Sequence, residues 1–519
     1  MRQPSRQAKT AILRSFAQGL SAVNRSFLPP LAALSAALLS GGFAQAQSGD
    51  AGGDGPVGSV RTVSLFGYES VRLPEGERLG LVGGTLLFDV GDGWAFGPGV
   101  YGGASGRRGG FFVAGVEVQH RWSIAAGWTL ASGFYAGGGG GAAAPVGSGL
   151  MLRPAVTLLK DLGPALQLGL SLSSVRFPSG DIASEQAGIA LAWRGEFLYL
   201  GGEHGASGSV PGRATGLGFD RMALTASTYR FDGSVRPTIG LAGARAERRT
   251  AYGLAWGLEA AAAAKGDAAG YMEILGTLGA DVAPWPELLR TWRVGVRAAA
   301  GLGGGGAVPT GGGLIGKAAA TMSWSPAPGW TLGAELGRLR AAEGGMQARQ
   351  AQLWLGVDLE PGYDGRSTEG RVVRTEWAAV VQHHARVKRS DGRRQSLDTI
   401  GLKLNRFVDA NVYLSGQAHS AYAGSAGAYS VGLVGAGVAS VTGESALRFG
   451  AEALAGAAGG GGVDTQGGAI LQAVLWAGWN ATPRSEWRLG LGTMQTLRDR
   501  HGTPLVELAW SRAFGMAGW

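Results

Sequence analysis

The chain has no cysteine, and only 16% of its 519 residues carry a charge. A chain without cysteine forms no disulfide bonds, and such sparse charge beside 95 glycines is unusual for a soluble enzyme. The glycines have no period of three, which excludes a collagen-like triple helix. With 45% hydrophobic residues and 16 tryptophans, the chain has enough apolar surface to order itself, which argues against disorder.

Long hydrophobic segments are also missing. No uninterrupted apolar run of about 18 residues occurs after residue 46, so we expect no transmembrane helix there. The first 46 residues differ, because an apolar stretch from Phe27 to Phe43 precedes the small-residue site Ala44-Gln45-Ala46. They also contain five basic residues and no acid, namely Arg2, Arg6, Lys9, Arg14 and Arg25. Residues 1–46 are therefore predicted to be a cleaved signal peptide, followed by a short periplasmic segment at 47–58.

The mature chain is less basic than the full sequence. Of 46 lysines and arginines, five lie in the predicted signal peptide, and 37 acidic residues oppose the rest, which leaves about four excess positive charges. Because no basic patch accompanies the export signal, we expect no nucleic-acid partner.

Apolar and polar residues alternate through most of the mature chain. The alternating segments are about ten residues long and end at Gly, Pro, Asp or Ser, which predicts β-strands. Leu353, Leu355 and Val357, for example, alternate with Gln352 and Asp358. Helical periodicity is nearly missing, and residues 260–265, helical by propensity, lie within an alternating segment and are predicted to be strand.

Tryptophans indicate which kind of sheet these strands form. They flank tight turns that recur at every second strand connection, whereas a soluble sandwich or propeller would place them mid-strand, in its core. An indole ring is apolar but carries one N–H donor, so it prefers the membrane–water boundary. The predicted membrane-interface anchors are Trp94, Trp122, Trp128, Trp292, Trp324, Trp330, Trp479 and Trp487.

The last strand carries a further signal. Its alternating residues are Val506, Leu508, Trp510 and Phe514, and the chain stops at Trp519. From about residue 57 to its end, the chain resembles the bacterial outer-membrane β-barrel proteins as a class. The resemblance implies a Gram-negative outer membrane with its lipid and lipopolysaccharide, and a C-terminal assembly signal at Trp510, Phe514 and Trp519 that the barrel-assembly machinery reads. Arg512 lies on the apolar face and departs from the pattern.

Counting from turn to turn predicts about 24 strands in three blocks of eight, at about 59–200, 219–359 and 372–514. The second half of each block looks copied. Trp128-Thr129-Leu130 with the glycines of 137–141 corresponds to Trp292-Arg293-Val294 with those of 303–306. Leu447-Arg448-Phe449 with the glycines of 459–462 is the third copy. A spacing of about 160 residues predicts duplication of an eight-strand unit.

Two architectures are compatible with this pattern, because eight strands are also the smallest number that closes a barrel. The joints near 201–218 and 360–370 are only moderately longer than the other loops. We therefore favour an all-β fold with one transmembrane antiparallel barrel of about 24 strands over three tandem eight-strand barrels. Pairing of the last strand with Thr62 would give the single barrel, and pairing with Val373 would give the tandem barrels.

Motifs for catalysis and metal binding are weak. Residues 311–317 spell G-x-x-x-x-G-K, but Ala318 replaces the Ser or Thr of a phosphate-binding loop, and the segment leads into a strand. His419 and Ser420 are adjacent, yet successive strand residues point to opposite faces and cannot share a proton. We expect no enzyme activity, no cofactor and no metal site.

The inward polar positions have mixed charge, which suits a solvated wall held by ion pairs or a lining that contacts substrate. The lumen-lining candidates are Glu117, Arg121, Arg293, Arg297, Arg448, Glu452 and Arg488. A barrel of about 24 strands without a plug would leak. We therefore predict an export or translocation pore for a polymer such as polysaccharide or protein, occupied by a periplasmic partner. The alternative is a general diffusion porin, or a structural outer-membrane barrel without transport activity.

Overall fold

A computed structural model describes residues 57–201, 204–210, 215–233, 238–250, 252–284, 291–360, 368–440, 446–482, 484–498 and 502–518. The predicted signal peptide and nearly all of the 47–58 segment lie outside these ranges. The described residues form 25 strands and one short 3-10 turn at Pro74–Gly76. Within these ranges, no helix is long and apolar enough to cross a membrane.

The first eight strands close on themselves, because β1 pairs with both β2 and β8. We call this ring the first barrel. Its strands are β1 (Val57–Arg72), β2 (Arg78–Gly91), β3 (Trp94–Ser105), β4 (Phe112–Ala125), β5 (Trp128–Gly140), β6 (Leu150–Asp161), β7 (Leu166–Arg176) and β8 (Ala183–Leu200). The short strand β9 (Ser207–Val210) follows.

The next eight strands form a closed barrel of their own, in which the first strand pairs with the last. We call it the second barrel. Its strands are β10 (Arg221–Phe231), β11 (Thr238–Arg249), β12 (Leu254–Lys265), β13 (Met272–Val282), β14 (Trp292–Gly304), β15 (Leu314–Ala327), β16 (Trp330–Ala341) and β17 (Gln347–Asp358). Residues 260–265 lie in β12, so the strand prediction for them is confirmed.

The last eight strands also form a ring, the third barrel. Its strands are β18 (Thr368–Lys388), β19 (Arg394–Phe407), β20 (Val412–Ala423), β21 (Ser430–Ala439), β22 (Leu447–Gly459), β23 (Ala469–Thr482), β24 (Ser485–Thr496) and β25 (Gly502–Gly518). The final strand β25 pairs with β18, where Met516 lies opposite Val373.

The fold predicted from the sequence, one barrel of about 24 strands built from three eight-strand repeats, is therefore wrong. The last strand closes on Val373 and not on Thr62, so no wide lumen forms. The three blocks are not equivalent units either. β9 pairs with β18, and Leu200 of β8 pairs with Gly515 of β25, which joins the first and third barrels into a 17-stranded sheet while the second barrel stays separate. These strand pairings join distant parts of the chain, and local alternation carries no information about them.

Toward the turn end, the strands bury polar side chains and expose apolar ones. On β17, Leu353 is 66% exposed, whereas its neighbour Gln352 is 2% exposed. β7 follows the same rule, with Leu170 and Leu172 outside and Ser171 buried. This inversion is the pattern of a barrel surrounded by lipid, because a strand in water would hide its leucines.

The two ends of the barrels differ. One end carries two-residue connections such as 126–127 and 328–329, as well as the linkers between barrels, and we call it the turn end. Its connection 283–291 is longer, and six of those residues lie outside the described ranges. The opposite end, the loop end, carries nine-residue connections at 141–149, 305–313 and 460–468.

Backbone segments of neighbouring barrels approach closely at the loop end. A methyl group on Gly110 would overlap the backbone of Gly305, and one on Gly459 would overlap the backbone nitrogen of Gly270. Gly138 packs in the same way against the carbonyl oxygen of Ala421. The first barrel thus contacts the second, the second the third, and the third the first. The glycine runs noted in the sequence therefore permit close approach between barrels.

Candidate functional site

The interior of the second barrel is spanned by a network of buried ion pairs. Arg245 on β11 reaches Glu335 on β16 at 2.7 Å and Glu259 on β12 at 3.2 Å. Lys317 on β15 donates to Glu259 at 2.8 Å and to Glu273 at 2.7 Å. β12 and β15 are three strands apart in the eight-strand ring, so these side chains reach through the barrel interior and fill part of its section.

The interior of the third barrel contains two ion-pair clusters. In the first, Arg488 lies 2.5 Å from Glu376 and 2.7 Å from Glu486. Arg448 lies 3.2 Å and 3.0 Å from the same two glutamates, and β18 and β22 face each other across the ring. The arginines also pack near the indole of Trp476, which is 4.2 Å from the Arg488 guanidinium carbon.

The second cluster of this barrel is centred on Lys403, which donates to Glu452 and to Glu507 at 2.7 Å each. All three residues are buried. Buried charges in lipid are stable only when they are paired and hydrogen-bonded. The two clusters therefore fill part of the interior of the third barrel, as the Arg245 and Lys317 pairs fill part of the interior of the second.

The first barrel has fewer charges in its interior. Arg153 on β6 forms two hydrogen bonds to Glu69 on β1, at 2.9 and 3.0 Å, and Ser173 donates to the same carboxylate at 2.6 Å. A cavity of about 20 Å³ remains beside Glu69, Glu117 and Arg153. A cavity of this size holds about one water molecule.

The seven lumen-lining candidates lie on inward faces with different surroundings. Glu117, Arg297, Arg448, Glu452 and Arg488 are buried. Arg121 is half-buried and donates to Gln167 at 2.8 Å. Arg293 is exposed at the turn end of the second barrel, where it pairs with Asp281 at 2.7 Å.

Sequence reasoning did not identify several residues on which the networks depend, among them Lys317, Lys403 and Glu376. In the sequence, Lys317 is the last residue of the G-x-x-x-x-G-K pattern, and it also stands at an inward position of an alternating strand. Its position in that alternation was the signal that could have placed it in the interior.

All eight predicted interface tryptophans lie at the turn end, and each is exposed or half-buried. Trp292 and Trp324 stack across β14 and β15 with ring centroids 6.1 Å apart. These tryptophans form a single girdle at the turn end, and none of them lies at the loop end.

The C-terminal aromatic residues have a different environment. Trp510 is 8% exposed, and Phe514 packs edge-on against Phe197 of the first barrel with centroids 5.0 Å apart. Phe197 in turn contacts Trp377 and Phe88, so an aromatic cluster joins the first and third barrels at the turn end. Trp519 lies outside the described residues.

The described histidines lie in different environments. His419 and His384 are buried in the third barrel, and the imidazole of His419 shares a 2.7 Å hydrogen bond with Gln417. His383 pairs with Asp398 on the outer surface. Within the described ranges, no three His, Cys, Asp or Glu side chains are close enough to hold a metal ion.

The linkers meet the end of the chain in a junction at the turn end. Thr215 and Glu360, one from each linker, are hydrogen-bonded to each other. The backbone N–H of Ala517 donates to Thr215 at 3.0 Å, and Arg406 donates to the carbonyl oxygens of Ala517 and Leu359. Burial raises the pKa of the Glu360 carboxyl to about 7.

No protein-family model matches this chain. No curated protein matches it either. Its structure is similar to OpdK of Pseudomonas aeruginosa, solved with vanillate, at 10% identity and a TM-score of 0.22, covering 88% of this chain and 98% of that one. A BenF-like porin of Pseudomonas fluorescens Pf-5 gives 10% identity and a TM-score of 0.22, with coverage of 89% and 99%. These TM-scores are too low for any conclusion about this chain.

The class-level resemblance to outer-membrane β-barrel proteins is nevertheless confirmed, because the strands form closed antiparallel rings with exposed leucines outside and buried charged side chains inside. The predicted export pore for a polymer is no longer supported, because it required one wide lumen.

Proposed function

We propose that this chain is an integral outer-membrane protein whose barrels are sealed by their own side chains, a structural membrane component without transport activity. The observation that carries the proposal is the set of ion pairs across the barrel interiors, above all Lys317 with Glu259 and Glu273, and Arg448 with Glu376. Eight strands leave an interior that side chains fill, in contrast with the wide barrels of diffusion porins.

The apolar outer faces support the membrane location, because exposed leucines such as Leu170 and Leu353 would be unfavourable in water. In an outer membrane the short turns of a barrel face the periplasm and the longer loops face outward. The turn end, with its tryptophans and linkers, then lies at the periplasmic boundary, and the aromatic C-terminal strand remains the proposed contact for the assembly machinery.

Conductance in planar lipid bilayers tests the proposal. The purified full-length protein should insert, shown by a heat-modifiable band on gels, and should give no steady ohmic current. A variant with Arg245→Ala and Lys317→Ala, which empties part of the second barrel, should conduct transiently if it folds. A stable open-channel current from the unmodified protein would contradict a sealed interior and favour a small-molecule diffusion porin.

Cell fractionation tests the location separately. The protein should sediment with the outer membrane, and recovery as a folded, soluble periplasmic species would contradict the membrane assignment. A membrane-inserted protein that conducts would leave the location intact and contradict only the absence of transport.

A further inference from the structure

One buried carboxylate inside the first barrel has no cation of its own. Glu117 on β4 is 2% exposed, and its Oε2 atom has no hydrogen-bond partner in the part of the chain that the structure describes. Its other oxygen, Oε1, accepts a long hydrogen bond of 3.4 Å from Gln119. Burying a charged group without a partner is unfavourable, so this carboxylate points to a ligand that is not a side chain.

The charges around Glu117 do not balance. Its charged neighbours are the guanidinium group of Arg153 and the carboxylate of Glu69. Arg153 donates two hydrogen bonds to Glu69, at 2.9 and 3.0 Å, whereas no described ion pair joins it to Glu117. One cation therefore faces two carboxylates, which leaves one excess negative charge in this part of the ring.

The cavity of about 20 Å³ in the first barrel adjoins the Glu117 carboxylate. A methyl group on Gly133 of β5 would lie 2.8 Å from Glu117 Oε1, so the carboxylate packs against that neighbouring strand. The hydroxyl-bearing side chains of Tyr101, Thr157 and Ser171 line the cavity as well. Carboxylate and other neutral oxygen atoms are the ligands that hard cations prefer, and the volume suits a single ion or water molecule.

We propose that this cavity binds one alkali-metal cation, Na⁺ or K⁺, between the Glu117 carboxylate and the hydroxyl groups of Thr157 and Ser171. A single positive charge balances the excess negative charge, whereas a divalent ion would exceed it. Ca²⁺ takes about six to eight oxygen ligands and Mg²⁺ keeps several waters, and the cavity has room for neither arrangement. The inference rests on the sealed interior proposed above, because water in an open lumen would solvate Glu117 without a bound ion.

Unfolding in different salts tests the proposed cation site. The full-length protein is refolded into lipid vesicles and unfolded with urea at pH 8, in chloride salts of Na⁺, K⁺ or choline at equal ionic strength. An ion that binds only the folded chain raises the ratio of folded to unfolded protein. Above the dissociation constant, each tenfold rise in Na⁺ or K⁺ should raise that ratio about tenfold, whereas choline is too large for the cavity.

Three variants identify the site. E117Q removes the excess charge and keeps the shape of the side chain, so its stability should be the same in all three salts. The matched control is E185Q, which removes an exposed carboxylate from β8 of the same barrel and should keep the full cation dependence. T157V replaces a hydroxyl group at the cavity with a methyl group. It should weaken the cation affinity about fivefold, and it keeps the test decisive if E117Q does not fold.

Equal stability of the unmodified protein in Na⁺, K⁺ and choline would overturn the inference. Stability that falls with rising pH in every salt, but not in E117Q, would also overturn it, because Glu117 would then hold a proton in place of the ion. Cation dependence that persists in E117Q would place the ion elsewhere. Conductance separates this inference from the proposed function. A sealed protein without cation dependence contradicts this inference alone, whereas a steady current contradicts the sealed interior.

Discussion

The interiors of the barrels and the contacts between barrels are formed by different kinds of residue. Inside, long charged side chains meet across the ring, as Lys317 does with Glu259 and Glu273. Between barrels, glycines such as Gly459 and Gly270 bring backbones together with no side chain between them.

This difference follows from what each region excludes. An inward side chain in an eight-strand ring must fill space, and long side chains with paired charges do so while lipid stays outside. Between barrels, each removed side chain lets two surfaces approach and gain dispersion contacts. We therefore expect charge removal to damage the interiors and added volume to damage the contacts between barrels.

Replacing an interior lysine should have the largest effect. Lys317→Met leaves Glu273 without a cation and Glu259 with Arg245 alone, and it should lower the free energy of unfolding by about 3–5 kcal/mol. Lys403→Met should have at least as large an effect, because Glu452 and Glu507 pair with no other cation among the described residues. Denaturant unfolding from lipid vesicles measures both.

Lys265→Met serves as the control for both lysine variants. Lys265 is exposed at the end of β12, so its loss should change stability by less than about 0.5 kcal/mol. A Lys317→Met protein as stable as the control would show that the interior network is not needed.

The buried carboxyl group of Glu360 at the junction between the linkers should make the stability of the folded protein depend on pH. The folded pKa of Glu360 is raised to about 7, so between pH 4.5 and 7 the folded chain holds a proton that the unfolded chain has released. Stability should fall as pH rises through this window, by about 3 kcal/mol, and level off above it.

Glu360→Gln should flatten most of that slope, because the amide cannot ionise. Burial also raises the pKa of Asp220, so Asp220 keeps its own contribution to the pH dependence of stability. Arg406 is the cation that faces the junction. Melting of the heat-modifiable form at pH 5, 6, 7 and 8 measures the slope. Equal slopes in both proteins would show that Glu360 is not the titrating group.

A side chain added between barrels should lower the free energy of unfolding less than the removal of a charge inside a barrel. Gly459→Ala places a methyl group against the backbone of Gly270 and should destabilise the protein by about 1–3 kcal/mol. Gly432→Ala is the matched control, since its methyl group meets nothing within 4 Å. Similar denaturation midpoints for the two variants would contradict tight packing at the loop end.

The smallest effect is expected at His384, inside the third barrel. Neither of its ring nitrogens has a hydrogen-bond partner among the described residues. His384→Leu removes no such bond and should change the free energy of unfolding by less than about 1 kcal/mol. A loss comparable with that of Lys403→Met would show that the interior depends on this imidazole as much as on its ion pairs.

Local pattern was enough to predict the strands and their faces. Leu353 and Gln352 occupy opposite faces because consecutive side chains of a strand alternate, and this rule needs no knowledge of the rest of the chain. The same rule placed Arg448 and Glu452 on one inward face. The rule was not applied to Lys317, because the G-x-x-x-x-G-K pattern suggests a loop at this residue and not an inward strand position.

The sequence by itself determined that this chain is made of alternating strands that are apolar on one side, with tryptophans beside its tight turns. Only the tertiary structure decided which strand edges meet. Hydrogen bonds between edges are nearly independent of side-chain identity, so β25 could in principle pair with β1 or with β18, and it pairs with β18. That choice sets the ring at eight strands and leaves room inside for side chains and not for a pore.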